Sequence, residues 1–487
     1  MTVQTITRVG APALLAMTTA LASCGLPNLG ARPETRPPAT LATAQTFARA
    51  TDPAAAWPRE QWWRAYGDPQ LDALVAEALA GSPDVAAAQA RVRQARGAAE
   101  VTGADTLPQI GARGSAGVTK QSYNNGIPSE FVPKGWKSTG NLALTGDFDL
   151  DLWGRRRKLL AAATSEAEAA QADASQASLI LASNVVSSYF DLSRLLARDE
   201  ALVQASQSRE SLGALTRRRA EQGLENQSPV RQSQAETLRS RIALSANREQ
   251  IAARRNAIAA LLGAGPDRGL AITPSAISQL PETPLPTDAG IALAGRRPDI
   301  VAARLRVEAA GKRIDIAKTA YLPNISLSGL IGLTSLGLSN LFDSGSTYGN
   351  AGGAFSLPIF DGGRIRGEYR QARGSFDLAV ADYNATVVDA LREIADALAS
   401  RDAARAQEVD AVAARREAEG AYDLANKRYD AGLSSFIEAL SAQQVAIESR
   451  QAAIDAHFRT LSTEVALKRA LGGGFAQDMN EKVSTDE

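Results

Sequence analysis

The sequence predicts an α+β membrane protein in which two internal repeats each join one β-hairpin to helices far longer than the ordinary three turns. Three observations predict it. The stretch NLALTGDFDLDLWGRRRKLL, starting at Asn141, alternates apolar and polar residues and then passes without a gap into a helical pattern; a similar change returns in AFSLPIFDGGRIRGEYRQAR from Ala354. Four runs, 155–212, 230–262, 375–419 and 433–471, contain neither Gly nor Pro, the two residues that interrupt helices. Finally, SPDVAAAQARVRQARGAAEVTGADTLPQI (82–110) aligns with RPDIVAARLRVEAAGKRIDIAKTAYLPNI (297–325).

The beginning of the chain reads as an export signal. Residues 1–23 have a positive start, a short apolar stretch and then small residues, too short for a membrane span. The cleavage region, Leu21-Ala22-Ser23-Cys24, is similar to the bacterial lipobox, in which the Cys becomes a lipidated N-terminus; the only Cys of the chain stands there. More than one acyl chain anchors stably, at about 0.8 kcal/mol per buried methylene. Gly25 follows where an Asp would retain such a lipoprotein in the inner membrane, so the outer membrane is expected.

Composition excludes several functions. Lys+Arg and Asp+Glu are both 53 among 487 residues, so there is no basic excess for nucleic acid. One Cys and one His cannot build a four-ligand zinc site. A Ser-His-Asp or Cys-His enzyme would depend on His457, in the middle of the helical AAIDAHFRTLSTEV. The glycines of FDGGR lack the Lys-Ser/Thr of a P-loop. No enzyme, no metal and no cofactor is expected.

Repeat 1 spans residues 24–262: a lipidated tether, helices, a hairpin at about 109–152 and two long helices. A connector at 263–290 carries prolines 266, 274, 281, 284 and 286, which exclude a helix there. Repeat 2 spans 291–474 with its hairpin at about 324–360, and 475–487 is a polar tail. The turns Gln222-Gly223-Leu224 and Ala431-Gly432-Leu433 separate the long helices of each repeat, which need partners along their whole length and so indicate helical-barrel packing.

The strands alternate cleanly. Leu142, Leu144, Phe148 and Leu150 share a face; Asn141, Thr145, Asp147, Asp149 and Asp151 share the other. Strands of about ten residues cross a bilayer when tilted. Open sheet edges cannot face hydrocarbon, because unpaired backbone groups there cost several kcal/mol each. Four strands cannot close a barrel, for which about eight are the minimum. Several chains must therefore share one barrel, and three would supply about twelve strands with twelve helices continuing below. On this reading the strand ends where the bilayer ends, Gly154 or Gly363 turns the chain, and Arg155, Arg156, Arg157 and Lys158 meet the polar interface or are simply solvated. Rings of Asp147, Asp149 and Asp151 would face the lumen and favour cations.

WWRAYGDPQLDALVAEALAGSPDV (62–85), LPQI and LPNI, FDLDLWGRRR, LPIFDGGRIR, KRYDAGLSSF and RALGGGF, in this order, resemble the outer-membrane efflux proteins, the TolC-like channels, and most of all their lipidated NodT-type branch serving resistance-nodulation-division pumps. The resemblance covers nearly the whole mature chain. It implies a homotrimer: a twelve-stranded β-barrel in the outer membrane, a twelve-helix periplasmic α-barrel, a periplasmic adaptor (membrane fusion protein) and an inner-membrane pump. The family's gate near the second Gly turn maps onto Tyr429 and Glu438, with Arg428 and Asp430 beside them. Where some members carry Arg after that turn this chain has Ser434, and Arg217, Arg218, Arg219 and Glu221 are candidate replacement partners. The tips that meet the adaptor correspond to Gly223, Leu224, Gly432 and Leu433. Solvated helix ends and ordinary turns are the alternative readings of these residues. The resemblance implies an efflux duct for small molecules; the alternatives are the channel of a type I protein-secretion system and a coiled-coil lipoprotein without a pore.

Overall fold

The computed structural model describes residues 27–47, 51–53, 55–273 and 283–476. The signal 1–23, Cys24, connector residues 274–282 and tail residues 477–487 lie outside the described residues. The main elements in chain order are α1 (Pro69–Gly81), α2 (Pro83–Ala104), β1 (Gln109–Thr119), β2 (Lys137–Leu150), α3 (Arg155–Glu221), α4 (Gln227–Leu261), α5 (Ala289–Arg296), α6 (Pro298–Thr319), β3 (Asn324–Leu336), β4 (Thr347–Ser356), α7 (Arg364–Asp430) and α8 (Phe436–Ala470). Lengths match between the halves: 22 residues in α2 and α6, 67 in α3 and α7, 35 in α4 and α8. A 67-residue helix is about 100 Å long.

Two details depart from expectation. The long helices outrun their Gly-free stretches, for α3 contains Gly213 and α7 contains Gly367, Gly374 and Gly420. An interior Gly costs only about 1 kcal/mol, which the packing of a long helix absorbs. The connector, expected to hold no helix, forms one turn at Asp267–Leu270 with Pro266 as its N-cap. Proline at that place removes no intrahelical hydrogen bond.

The chain divides into two compact units that cut across the repeats. One contains residues 93–169 and 304–382 and holds the sheet. Its four strands lie in sequence order and are antiparallel throughout. Directly paired residues share a face. Leu142 opposite Leu333, Leu144 opposite Ile331, Phe148 opposite Leu327 and Leu150 opposite Ile325 therefore join into one apolar surface, extended by Ile110 and Phe355. That surface is bare: Ile110 is 81% and Phe355 67% exposed. The opposite face carries Gln109, Arg113, Asn141, Asp147, Ser326, Ser328 and Asn350, and the Asn141 side-chain amide donates to the Tyr348 hydroxyl at 2.9 Å.

Each hairpin passes to its 67-residue helix through an aspartate. The Asp151 carboxylate accepts from the backbone N–H of Arg156 and Arg157 at 3.0 and 3.1 Å. Asp361 accepts in the same way from Gly363 at 2.9 Å and Ile365 at 2.7 Å. These acids satisfy amides that the first helical turn cannot, which is the local reason the DLWGRR and FDGGRIR stretches recur.

The other unit contains residues 35–92, 170–303 and 383 onward. The WWRAYGDP stretch starts its core. Trp62–Tyr66 forms a 3₁₀ turn, Gly67 ends it at φ 66°, and Asp68 caps α1 by accepting from Gln70 and Leu71 N–H, with Pro69 in the first turn. The buried Tyr189 hydroxyl donates to the other Asp68 oxygen at 2.6 Å. Trp62, Trp63, Tyr66, Leu71, Leu74 and Phe190 close the cluster around it. Lys468 is buried beside it, with Nζ 4.4 Å from the Tyr66 ring centroid and 5.7 Å from that of Trp62. Burial pushes the Lys468 ammonium down to about 8, partly opposed by the nearby Glu464.

Asp68→Ala should remove a cap and orphan the Tyr189 hydroxyl, at a combined cost of about 3 kcal/mol. Circular-dichroism melts should show a Tm lower by several degrees, and Asp68→Asn should recover most of it. An unchanged Tm in the alanine variant rejects the linkage. For Lys468, the unfolded lysine keeps its proton to 10.5 while the folded one loses it near 8. Between these values the unfolded state binds more protons, so this group's contribution to stability rises with pH. Lys468→Met should flatten that rise in Tm measured from pH 7 to 10.5.

Candidate gate and channel lining

The two turns between long helices have the same construction. After α3, Leu224 N–H bonds to Arg219 O at 2.8 Å and Gly223 N–H to Ala220 O at 3.0 Å. After α7, Leu433 N–H bonds to Arg428 O at 2.8 Å and Gly432 N–H to Tyr429 O at 3.0 Å. This 6→1 closure needs a left-handed residue, and Gly223 at φ 75° and Gly432 at φ 74° supply it without a Cβ clash. Asn226 and Ser435 then cap the returning helices. Each turn leaves one leucine outside: Leu224 is 62% and Leu433 70% exposed.

Tyr429 is wholly buried, on the side of the first-half turn. Its hydroxyl lies 3.2 Å from Thr216 Oγ1. Arg219 lies over its ring, 4.9 Å from the centroid, and donates to its carbonyl at 3.0 Å. Glu225 stands 3.9 Å from the same guanidinium. Phe436 packs edge-on against the ring at 6.1 Å, with Leu212 and Ala439 completing the cluster. Burial pushes the Tyr429 phenol up, so it remains a neutral hydrogen-bonding group.

Of the four gate residues expected from sequence, only Tyr429 enters this node. Arg428 is exposed and donates to Leu433 O at 3.4 Å. Asp430 and Glu438 are exposed; among the described residues the Glu438 carboxylate makes no ion pair, while its backbone N–H is capped by Ser435 at 3.2 Å. From the candidate partners Arg217, Arg218, Arg219 and Glu221, the fold selects Arg219, which occupies in the first repeat the place of Arg428 in the second. Thr216 and Glu225 carry no sequence signal that sets them apart, and Phe436, though it closes KRYDAGLSSF, carries none for this contact; only the packing of one turn beside the other brings them to Tyr429. A second tie lies farther along the helices. Tyr422 meets Ser208 at 2.8 Å, and Gln443 donates to both at 3.0 Å.

The three aspartates of the first hairpin differ in state. Asp149 pairs with Arg156, and Asp151, one residue past β2, pairs with Arg157 at 3.3 Å while capping α3. Asp147 is exposed and, among the described residues, has no ion pair. Arginines in the first turn of α3 thus take up two of the three carboxylates expected to line the lumen. No helix among the described residues is long and apolar enough to cross a membrane. None of their His, Cys, Asp and Glu side chains cluster as a metal site.

Comparison with known proteins follows this architecture. Residues 74–264 and 292–473 match the outer membrane efflux protein family. The fusaric acid resistance protein FusA of Burkholderia cepacia is 36% identical over 364 residues, 73% of this chain and 68% of that protein. The multidrug resistance outer membrane protein MdtP of Escherichia coli K12 is 29% identical over 368 residues, 74% of this chain and 75% of that protein. The crystal structure of the outer membrane protein VceC from Vibrio cholerae superposes with a TM-score of 0.81 at 37% identity, covering 86% of this chain and all of that one. This chain belongs to the outer membrane efflux protein family.

Proposed function

We propose that three copies of this chain close one twelve-stranded β-barrel in the outer membrane, continued by a periplasmic tunnel of twelve helices, and that the duct carries small molecules from periplasm to exterior as part of a tripartite efflux system. The observation that carries this reading is the sheet: four antiparallel strands, open at β1 and β4, with a bare apolar face. In hydrocarbon those edges are tolerable only when paired, and the symmetric way to pair them is β1 of one copy with β4 of the next. Membership of the family supports the outer membrane as the location and a conduit, not an enzyme, as the role. The resistance roles in the names of FusA and MdtP support small organic compounds, acids among them, as cargo.

Energy for transport comes from an inner-membrane resistance-nodulation-division pump, and a periplasmic adaptor couples it to the channel. The adaptor meets the turn tips, where Gly223 and Gly432 fix the reversal and Leu224 and Leu433 offer apolar anchors. Closure is held by the Tyr429 node, with the exposed Arg428, Asp430 and Glu438 turned to neighbouring copies. Such contacts are individually weak, about 1 kcal/mol, so an adaptor that prefers the open state can shift the balance. Cys24 carries the lipid that fixes the chain to the membrane.

Single-channel recording in planar bilayers tests this. The wild type should give discrete conductance steps from particles containing three chains; a monomer that inserts nothing would reject the channel. Tyr429→Ala with Arg219→Ala should raise the conductance, since each lost contact changes the open population about fivefold. The gate assignment fails if the value does not move. Cys24→Ala should abolish labelling by radioactive palmitate, and persistent labelling would remove the anchor.

A further inference from the structure

The charges on the strands all lie on one face. β3 and β4 have none, and in β1 and β2 they are Arg113, Lys137, Asp147 and Asp149. The register places Asp147 opposite Gln109, Arg113 opposite Ala143 and Lys137 opposite Thr119, so all four share the polar face. Arg156, from the start of α3, neutralises Asp149. Arg113 and Lys137 are exposed and, among the described residues, neither has an ion pair. Asp147 is the one strand carboxylate without an ion pair among the described residues, so, with Asp149 neutralised, the strands carry one positive charge in excess per chain. The connecting loops do not offset it: Lys120 and Lys134 balance Glu130 and Asp343.

We propose that the barrel lumen favours anions, and that Arg113 is the residue that sets this preference, giving small organic anions such as carboxylates the easier passage. The proposal rests on the shared-barrel reading, in which the polar face lines the duct. Arg113 is the fifth of eleven residues in β1, so three copies form a guanidinium ring well inside the barrel. Low-dielectric walls focus the field of such a ring on the permeating solute, and charged rings are a known basis of selectivity in pores. Lys137 begins β2 at the loop end, where solvent screens it more. This inverts the cation preference expected from three free aspartates, because the sequence does not reveal that Arg156 and Arg157 consume two of them.

Full-length protein in planar bilayers under a tenfold KCl gradient tests the assignment through the reversal potential. The wild type should favour chloride at about 0.1 M salt and less so at 1 M, where the screening length falls from about 10 to 3 Å. Arg113→Gln should lower the chloride-to-potassium permeability ratio several-fold, Arg113→Glu should reverse it, and Asp147→Asn should raise it. A potassium-favouring wild type, or a reversal potential that does not move in Arg113→Gln and Arg113→Glu, overturns the proposal while leaving the channel intact. Absence of conductance steps from the wild type would overturn the barrel reading itself.

Discussion

On the proposed reading one constraint governs the sheet, that a backbone N–H or C=O in hydrocarbon must have a partner. The sheet satisfies its interior through three antiparallel pairings and leaves the outer sides of β1 and β4 open. Its apolar face is equally incomplete, since Ile110 and Phe355 have nothing over them. A sheet with a bare apolar face and open edges is what the proposed shared cylinder would complete. The long helices show the same incompleteness in water, with Leu238, Ile242, Val409 and Leu424 exposed along their length. On the proposed assembly, folding of one chain and association of several are therefore one problem.

The handover between the two chemistries is local and repeated. A strand has no unsatisfied amide along its axis at its end, but a helix begins with four. Asp151 and Asp361 meet that demand at the start of α3 and α7, and in the first hairpin the arginines that follow also bind back to the acids before them. Charge placed there for architecture cannot serve as free charge in the lumen. On the proposed barrel, the sign of the lining therefore rests on Arg113 and not on the aspartate run.

Much of this was legible in the sequence. The period-two alternation located the strands, since a side chain's face in a sheet depends only on parity. The absence of Gly and Pro located the rods, and the self-match of 82–110 with 297–325 exposed the recurring plan. Helix ends were less legible, because a single Gly is a weak breaker once packing pays for it, as at Gly213 and Gly420. The cluster around Tyr429 was half legible. Tyr429 stands out beside a Gly turn, but its partners Thr216 and Arg219 lie more than 200 residues earlier, and no local pattern selects among three consecutive arginines.

The partners of Tyr429 also limit how a gate at this place can work. Thr216 and Arg219 belong to the first half of the chain and Tyr429 to the second, so the node ties the two turns of one chain together. Tyr422 and Gln443 with Ser208 tie the same halves again farther along. An opening that parts neighbouring chains would leave both ties intact and act on the exposed Arg428, Asp430 and Glu438. An opening that swings one helix pair away from the other within a chain must strip Arg219 from the Tyr429 ring and expose a buried phenol. The second motion costs more because it uncovers apolar surface as well as breaking hydrogen bonds, so it needs a stronger differential contact from whatever drives it. The leucines at the tips, one on each half, sit where a single bound partner could grip both turns and supply that contact.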